Sequence, residues 1–185
     1  LTAIREEDKV AQLHMLDCAA LLNYMDFEGK TLIDVGTGAG FPGLPLKILC
    51  PTLDVTLLDS LQKRMNWLKE ILPGLGVEAN VVAARAEEYV SGCREQYDLA
   101  TSRAVARLNI LLELTAPYVR VGGAVLAMKG MAAKDELAEC SNAIKKLGLK
   151  IEEVREFPID GTNHAVIVLR KIAPTPKQFP RRFAK

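Results

Sequence analysis

The sequence predicts an α/β fold, a mostly parallel sheet of seven strands with helices on both faces. Three observations carry that expectation. Segments of period two alternate with segments of period 3.6 along the chain, a glycine-rich loop follows the first strand, and the last two strands adjoin without a helix between them. Parallel neighbours need crossover connections, which place helices over both faces of a sheet. Five strand–helix units followed by a terminal pair of strands suit a seven-stranded sheet whose last strand is inserted antiparallel.

Apolar side chains at Val10, Leu13, Leu16 and Leu21 form a helical stripe near Glu7–Met25. Thr31–Val35 is the first strand and Gly43–Cys50 a short helix. Asp54–Leu58 follows as the second strand. Leu61, Met65, Leu68 and Ile71 mark a helix over Leu61–Leu72, ended by Pro73-Gly74. Asn80–Ala83, Tyr97–Ser102 and Gly123–Met128 are strands three to five, with a helix at Leu108–Val119. Leu137, Cys140, Ile144 and Leu147 predict one amphipathic helix over Ala132–Leu147. Leu149–Phe157 and His164–Arg170 are the closing strands, joined at Asp160-Gly161-Thr162.

A chain of 185 residues, 49% hydrophobic and 25% charged, suits one domain with a sizeable core. We assign residues 1–172 to that domain and 173–185 to a basic, proline-containing tail. The net charge of +1 means that any basic contact surface must be local. No segment has the apolar length of a membrane span, and no charged-then-apolar leader opens the chain. Cys18, Cys50, Cys93 and Cys140 form no CxxC pair and no metal-ligand spacing. They read as reduced thiols serving as small apolar side chains, which implies a cytoplasmic location and no metal.

Asp34-Val-Gly-Thr-Gly-Ala-Gly-Phe-Pro-Gly43 joins the first strand to the first helix. Gly36, Gly38 and Gly40 allow a tight turn and bring bare backbone against a ligand. Gly38-x-Gly40-x-x-Gly43 also fits a dinucleotide fingerprint, with Asp59 where a ribose-binding acid belongs. An NAD-dependent oxidoreductase is therefore one competing reading. Pro42 and Pro45 remove N–H donors that a pyrophosphate needs at the helix start. Asp34 would repel a pyrophosphate and favour a cationic sulfonium or ammonium. The loop thus suits S-adenosylmethionine in a Rossmann-like fold, with Asp59 accepting the ribose hydroxyls or, alternatively, capping the helix at Leu61. Ala86-Glu87 is placed to meet the adenine, although Glu87 also reads as an exposed helix charge.

Leu1-Thr-Ala-Ile-Arg5, the Asp34–Gly43 loop, Leu57-Leu-Asp-Ser-Leu61 with Lys63-Arg64, Ser102-Arg-Ala104 and Met128-Lys-Gly130 occur in that order. Together they resemble the RsmG family, also called GidB, from Leu1 to the C-terminus. The resemblance implies a class I S-adenosylmethionine-dependent methyltransferase that modifies the 7-position nitrogen of a guanine in the decoding-region loop of 16S ribosomal RNA. S-adenosylhomocysteine would be its product. By that resemblance Gly36, Phe41, Ala86, Glu87 and Arg103 contact the donor, and Asp59 holds its ribose. His14 and Asp17 match a His-x-Leu-Asp segment and are candidates for positioning substrate. The family's additional helices before Leu1 are missing here.

Methylation at this nitrogen requires no general base, because the lone pair is free and no proton leaves. The site must supply proximity and in-line orientation. Arg103, at the end of the fourth strand, can reach the donor's carboxylate or an RNA phosphate; Asn109 and Lys129 are further candidates. The tail holds Lys177, Arg181, Arg182 and Lys185 without an acidic residue. It reads as a flexible arm that tracks RNA phosphates, with Phe179 and Phe183 placed to stack on bases. The partner is then 16S ribosomal RNA or the small ribosomal subunit, met by a monomer. A methyltransferase for another RNA, a protein or a small molecule, and a non-catalytic RNA-binding module, are the competing readings.

Overall fold

Both faces of the central strands are apolar, and this decides the architecture. In β1 (Thr31–Val35), Leu32 points into one core while Ile33 and Val35 point into the other. The computed structural model describes residues 15–103, 106–159 and 162–182. In it β1 is followed by α2 (Gly43–Leu49), β2 (Asp54–Asp59), α3 (Gln62–Ile71), β3 (Asn80–Ala83), α4 (Ala86–Cys93) and β4 (Tyr97–Arg103). Next come α5 (Leu108–Thr115), β5 (Val119–Lys129), α6 (Ala133–Glu139), α7 (Ser141–Lys146), β6 (Leu149–Ile159) and β7 (Thr162–Lys171). A short α1 (Asp17–Ala19) precedes them. Residues up to 14, and with them the first part of the expected N-terminal helix and His14, lie outside the described residues; the rest of that expected helix is the short α1 and a 3-10 turn at Ala20–Asn23.

The seven strands run in the order β3-β2-β1-β4-β5-β7-β6. The first five are parallel, and β7 lies antiparallel between β5 and β6. This is the expected sheet, including the inserted last strand. Helices α4 to α7 cover one face through Val90, Leu108, Leu111, Leu112 and Ile144. Leu44 and Leu46 of α2, with Met65 and Leu68 of α3, cover the other. All four cysteines are buried and free. Among the described residues no helix is long and apolar enough to cross a membrane.

Several elements differ from expectation: the helix expected over Leu108–Val119 ends at Thr115, β5 starts at Val119 rather than Gly123, and Thr162 of the expected turn belongs to β7. The helix expected over Ala132–Leu147 is two helices, because the Cys140 N–H bonds the Leu137 carbonyl at 3.0 Å. That i→i+3 contact tightens the last turn of α6 and lets Cys140 and Ile144 both reach the core. Ala86–Cys93, for which the sequence reading sets no helix bounds, is α4; Val90 and Cys93 are buried on it, with Ala86 and Tyr89 packed beside them.

Candidate functional site

The sheet order reverses at β1, whose neighbours β2 and β4 lead the chain away in opposite directions. A crevice at the carboxyl ends of the strands is expected at such a point. A cleft of about 580 Å³ lies there. Its floor is the glycine loop, held to the sheet by Gly36 and Thr37 N–H groups that both donate to the Leu58 carbonyl, at 2.8 and 3.1 Å. Ser102 Oγ donates to the Val35 carbonyl at 2.8 Å, satisfying the end of β1 where the loop departs.

The glycines divide into two roles. Gly36 and Gly38 line the cleft, and a Cβ built on Gly38 would meet open space. Bulk there would occupy the ligand's volume. Gly40 and Gly43 are not in the cleft wall. A Cβ at Gly40 would lie 3.1 Å from Leu44 and 3.2 Å from Leu68, and one at Gly43 only 2.6 Å from Leu57. These two let α2 and α3 close on the sheet, so the donor contact expected at Gly40 is instead a packing contact.

Asp34 also faces away from the cleft. Its Oδ2 accepts from Thr37 Oγ1 at 2.6 Å and from the Gly43 N–H at 2.9 Å. Complete burial pushes the carboxyl up to about 6, against the opposing pull of those two donors. The expected attraction of Asp34 for a sulfonium or ammonium is therefore not a direct contact. Its carboxylate organises the loop and occupies an N–H at the start of α2, where Pro42 and Pro45 supply none. The helix start is thus already spent on an internal anion, which disfavours a pyrophosphate for a different reason from the expected repulsion.

Asp59, at the end of β2, lines the cleft. Its Oδ1 accepts from the Leu61 N–H at 2.9 Å and its Oδ2 from the Gly38 N–H at 3.1 Å, with Arg64 at 3.5 Å. The bond to the Leu61 N–H is an Asx-type turn before α3, which has no side-chain cap, and it leaves acceptor capacity, because each carboxylate oxygen takes about two hydrogen bonds. Ala86 and Glu87, at the start of α4, form the wall beyond β3. Glu87 is not an exposed helix charge: its side chain is 6% exposed and pairs with Arg85 at 2.6 Å.

Arg103 ends β4 at the opposite wall, its guanidinium carbon 5.1 Å from the centre of the Phe41 ring. Asp17 Oδ2 lies 3.5 Å from Arg103 Nη1, and Asp17 Oδ1 lies 3.3 Å from His164 Nδ1. Before desolvation, the attraction to Asp17 is about 4–5 kcal/mol at an effective dielectric of 20. Stacking on Phe41 contributes roughly 0.5–2 kcal/mol. Asp17 and Phe41 together hold the guanidinium, and the burial of Asp17 keeps it from a substrate. Sequence reasoning did not single out His164. Lys129 is not a solvated lysine: 8% exposed, it pairs with Glu136 at 2.8 Å and donates to the Ala106 carbonyl. Asn109 is exposed in the first turn of α5, outside the cleft wall.

The family model for GidB, described as rRNA small subunit methyltransferase G, matches residues 1–165. The chain belongs to this family. Relatives called ribosomal RNA small subunit methyltransferase G include one from Alkaliphilus metalliredigens, 48% identical over 98% of this chain and 79% of its own length. Another, from Lactobacillus johnsonii, is 46% identical over 98% of this chain and 80% of its own. Among solved structures, an S-adenosylmethionine-dependent methyltransferase from Aquifex aeolicus aligns with a TM-score of 0.66. It is 17% identical, and the match covers 88% of this chain and 93% of that one. The YcgJ protein of Bacillus subtilis aligns at 0.69, with 12% identity over 86% and 100% of the two chains. The fold is the Rossmann-like class I methyltransferase fold.

In this GidB-family chain the C-terminal segment departs from the expected flexible arm. Lys171, at the end of β7, buries its Nζ, which donates to the Ala116 carbonyl and Thr175 Oγ1 and lies 3.2 Å from Glu95. Arg94 donates to the carbonyls of Phe179 and Pro176, and Phe179 packs on the core. Arg181 forms a two-bond ion pair with Glu113 of α5. Residues 172–182 are thus a strap across the domain, and the Pro-rich composition serves extension along a surface rather than freedom in solvent. Lys177 and Arg182 are exposed on it; Lys185 lies outside the described residues.

Proposed function

We propose that this chain binds S-adenosylmethionine in the cleft and methylates the 7-position nitrogen of a guanine in the decoding-region loop of 16S ribosomal RNA. The observation that carries the reading is the convergence of Gly36, Gly38, Phe41, Asp59, Ala86, Glu87 and Arg103 on one cleft at the carboxyl ends of β1 to β4. All but Gly38 are residues that the family resemblance assigns to the donor, and Gly38 comes from the reading of the glycine loop. The open space over Gly38 and the remaining acceptor capacity of Asp59 fit a nucleoside laid against bare backbone with its ribose at β2.

When bound, S-adenosylmethionine supplies an electrophilic methyl group: the purine nitrogen's lone pair bonds to it as the carbon–sulfur bond breaks, with no proton released. The chain's part is orientation and charge placement. Asp59 accepts ribose hydroxyls, Gly36 and Gly38 allow close approach, and Glu87 bounds the base end. Arg103 presents a fixed cation at the mouth, where an anionic group of the donor or of RNA can settle. RNA is the acceptor in this reading, in keeping with the names of the relatives, and the site of action is cytoplasmic. The test is to map 7-methylguanosine in ribosomal RNA from cells with and without the protein. Loss of one such nucleotide from 16S RNA in the absence of the protein is expected; an unchanged map overturns the proposal.

A further inference from the structure

We infer that His164 is a positioning residue for the donor cleft: through Asp17 it holds the Arg103 guanidinium at the cleft mouth against Phe41. The inference rests on the donor reading above. Arg103 is 18% exposed at its side chain, so its direction is set by neighbours rather than by water. Among the contacts of Asp17, Oδ2 faces Arg103 and Oδ1 faces His164. A carboxylate contacted on both oxygens by groups from different strands has its plane determined. Loss of the group on Oδ1 weakens the hold on that plane, and with it the hold on the guanidinium.

His164 is itself held. It is paired with Phe157 across β6 and β7, and the two rings stack with centroids 6.2 Å apart and planes 22° from parallel. It does not line the cleft. Its influence therefore runs from Phe157 through His164, Asp17 and Arg103 to Phe41 of the glycine loop. Both Asp17 separations exceed the roughly 2.7–2.9 Å of a charge-assisted hydrogen bond. Contacts of that length commonly tighten when the ligand is in place.

The ring and the N–H of His164 can be separated by substitution. His164→Phe keeps a ring for Phe157 and removes the N–H. His164→Asn loses the ring and keeps an N–H near the Nδ1 position. The measurement is calorimetric titration of the full chain with S-adenosylhomocysteine, with the melting temperature of each variant recorded. We expect His164→Phe to bind about tenfold more weakly, and His164→Asn to recover most of that loss. In an Arg103→Ala background, His164→Phe should cost nothing further, because the residue it positions is gone. Should His164→Phe not fold, His164→Gln, which moves the donor to the Nε2 position, replaces it with the same expected loss. Unchanged affinity in His164→Phe, or an equal loss with and without Arg103, overturns the inference while leaving the donor reading intact. A wild-type chain that does not bind S-adenosylhomocysteine overturns both.

Discussion

The Gly43 N–H donates to Asp34 Oδ2 at 2.9 Å, closing the glycine loop from its last residue back to the strand that launches it. The carboxylate lies under the loop rather than in the cleft. One acid therefore shapes the floor on which a ligand lies, and a different acid, Asp59, faces the ligand's space. This division separates what substitutions in the loop should do.

Gly43→Ala places a methyl 2.6 Å from Leu57 and 3.0 Å from Asp34, in packed surroundings. Chemical denaturation should show a loss of about 1–3 kcal/mol. Gly38→Ala meets open space within the fold, although its φ of +60° strains any side chain. It should lose more donor affinity than stability, and calorimetry beside denaturation distinguishes the two. Equal profiles for the two variants would contradict the division of roles.

Asp34 gives the protein a pH-dependent stability. Burial raises its carboxyl from 3.8 to about 6, so the folded chain binds that proton more tightly than the unfolded chain. The contribution is complete below about pH 4 and is lost as pH rises to about 6. Its size is on the order of 3 kcal/mol. Asp34→Asn cannot titrate, so its unfolding free energy, measured in urea across this interval, should fall less steeply with pH. Parallel curves for the two proteins would refute the assignment.

Thr175→Val preserves volume and removes the hydroxyl that accepts from Lys171 and donates to the Leu147 carbonyl at 3.0 Å. Burial already pulls the Lys171 ammonium below its ordinary range, so a lost partner is felt. A destabilisation of about 1–3 kcal/mol is expected. A thermal or urea transition identical to wild type would mean that the strap is not anchored at this residue.

The strap also limits how many of the tail's cations can meet RNA. Arg181 is occupied by Glu113, while Lys177 and Arg182 are exposed. Replacing Lys177 and Arg182 together with Ala should flatten the salt dependence of RNA binding by about 1–2 logarithmic units for duplex-like contacts. Donor affinity should not change. Identical salt slopes would show that neither side chain meets phosphate.

The alternation of periods was enough to lay out the sheet, because a strand or helix announces itself through its own side-chain spacing. Asn80–Ala83 has the same bounds in the sequence reading and in the structure, as does Thr31–Val35. The glycine loop and Asp59 were legible for the same reason: a turn needing bare backbone must be written in adjacent residues. Tertiary structure decided the direction of Asp34, the packing role of Gly40, the pairing of Lys129 with Glu136 and the anchoring of the tail. It also decided the meeting of Asp17 with His164, which depends on β7 inserting between β5 and β6. Those contacts join residues far apart in the chain, and no local period carries information about which distant partner will arrive. Composition marked the tail as charged and extended, but Glu113, Glu95 and Arg94 made it a strap, and only folding brings those three beside it.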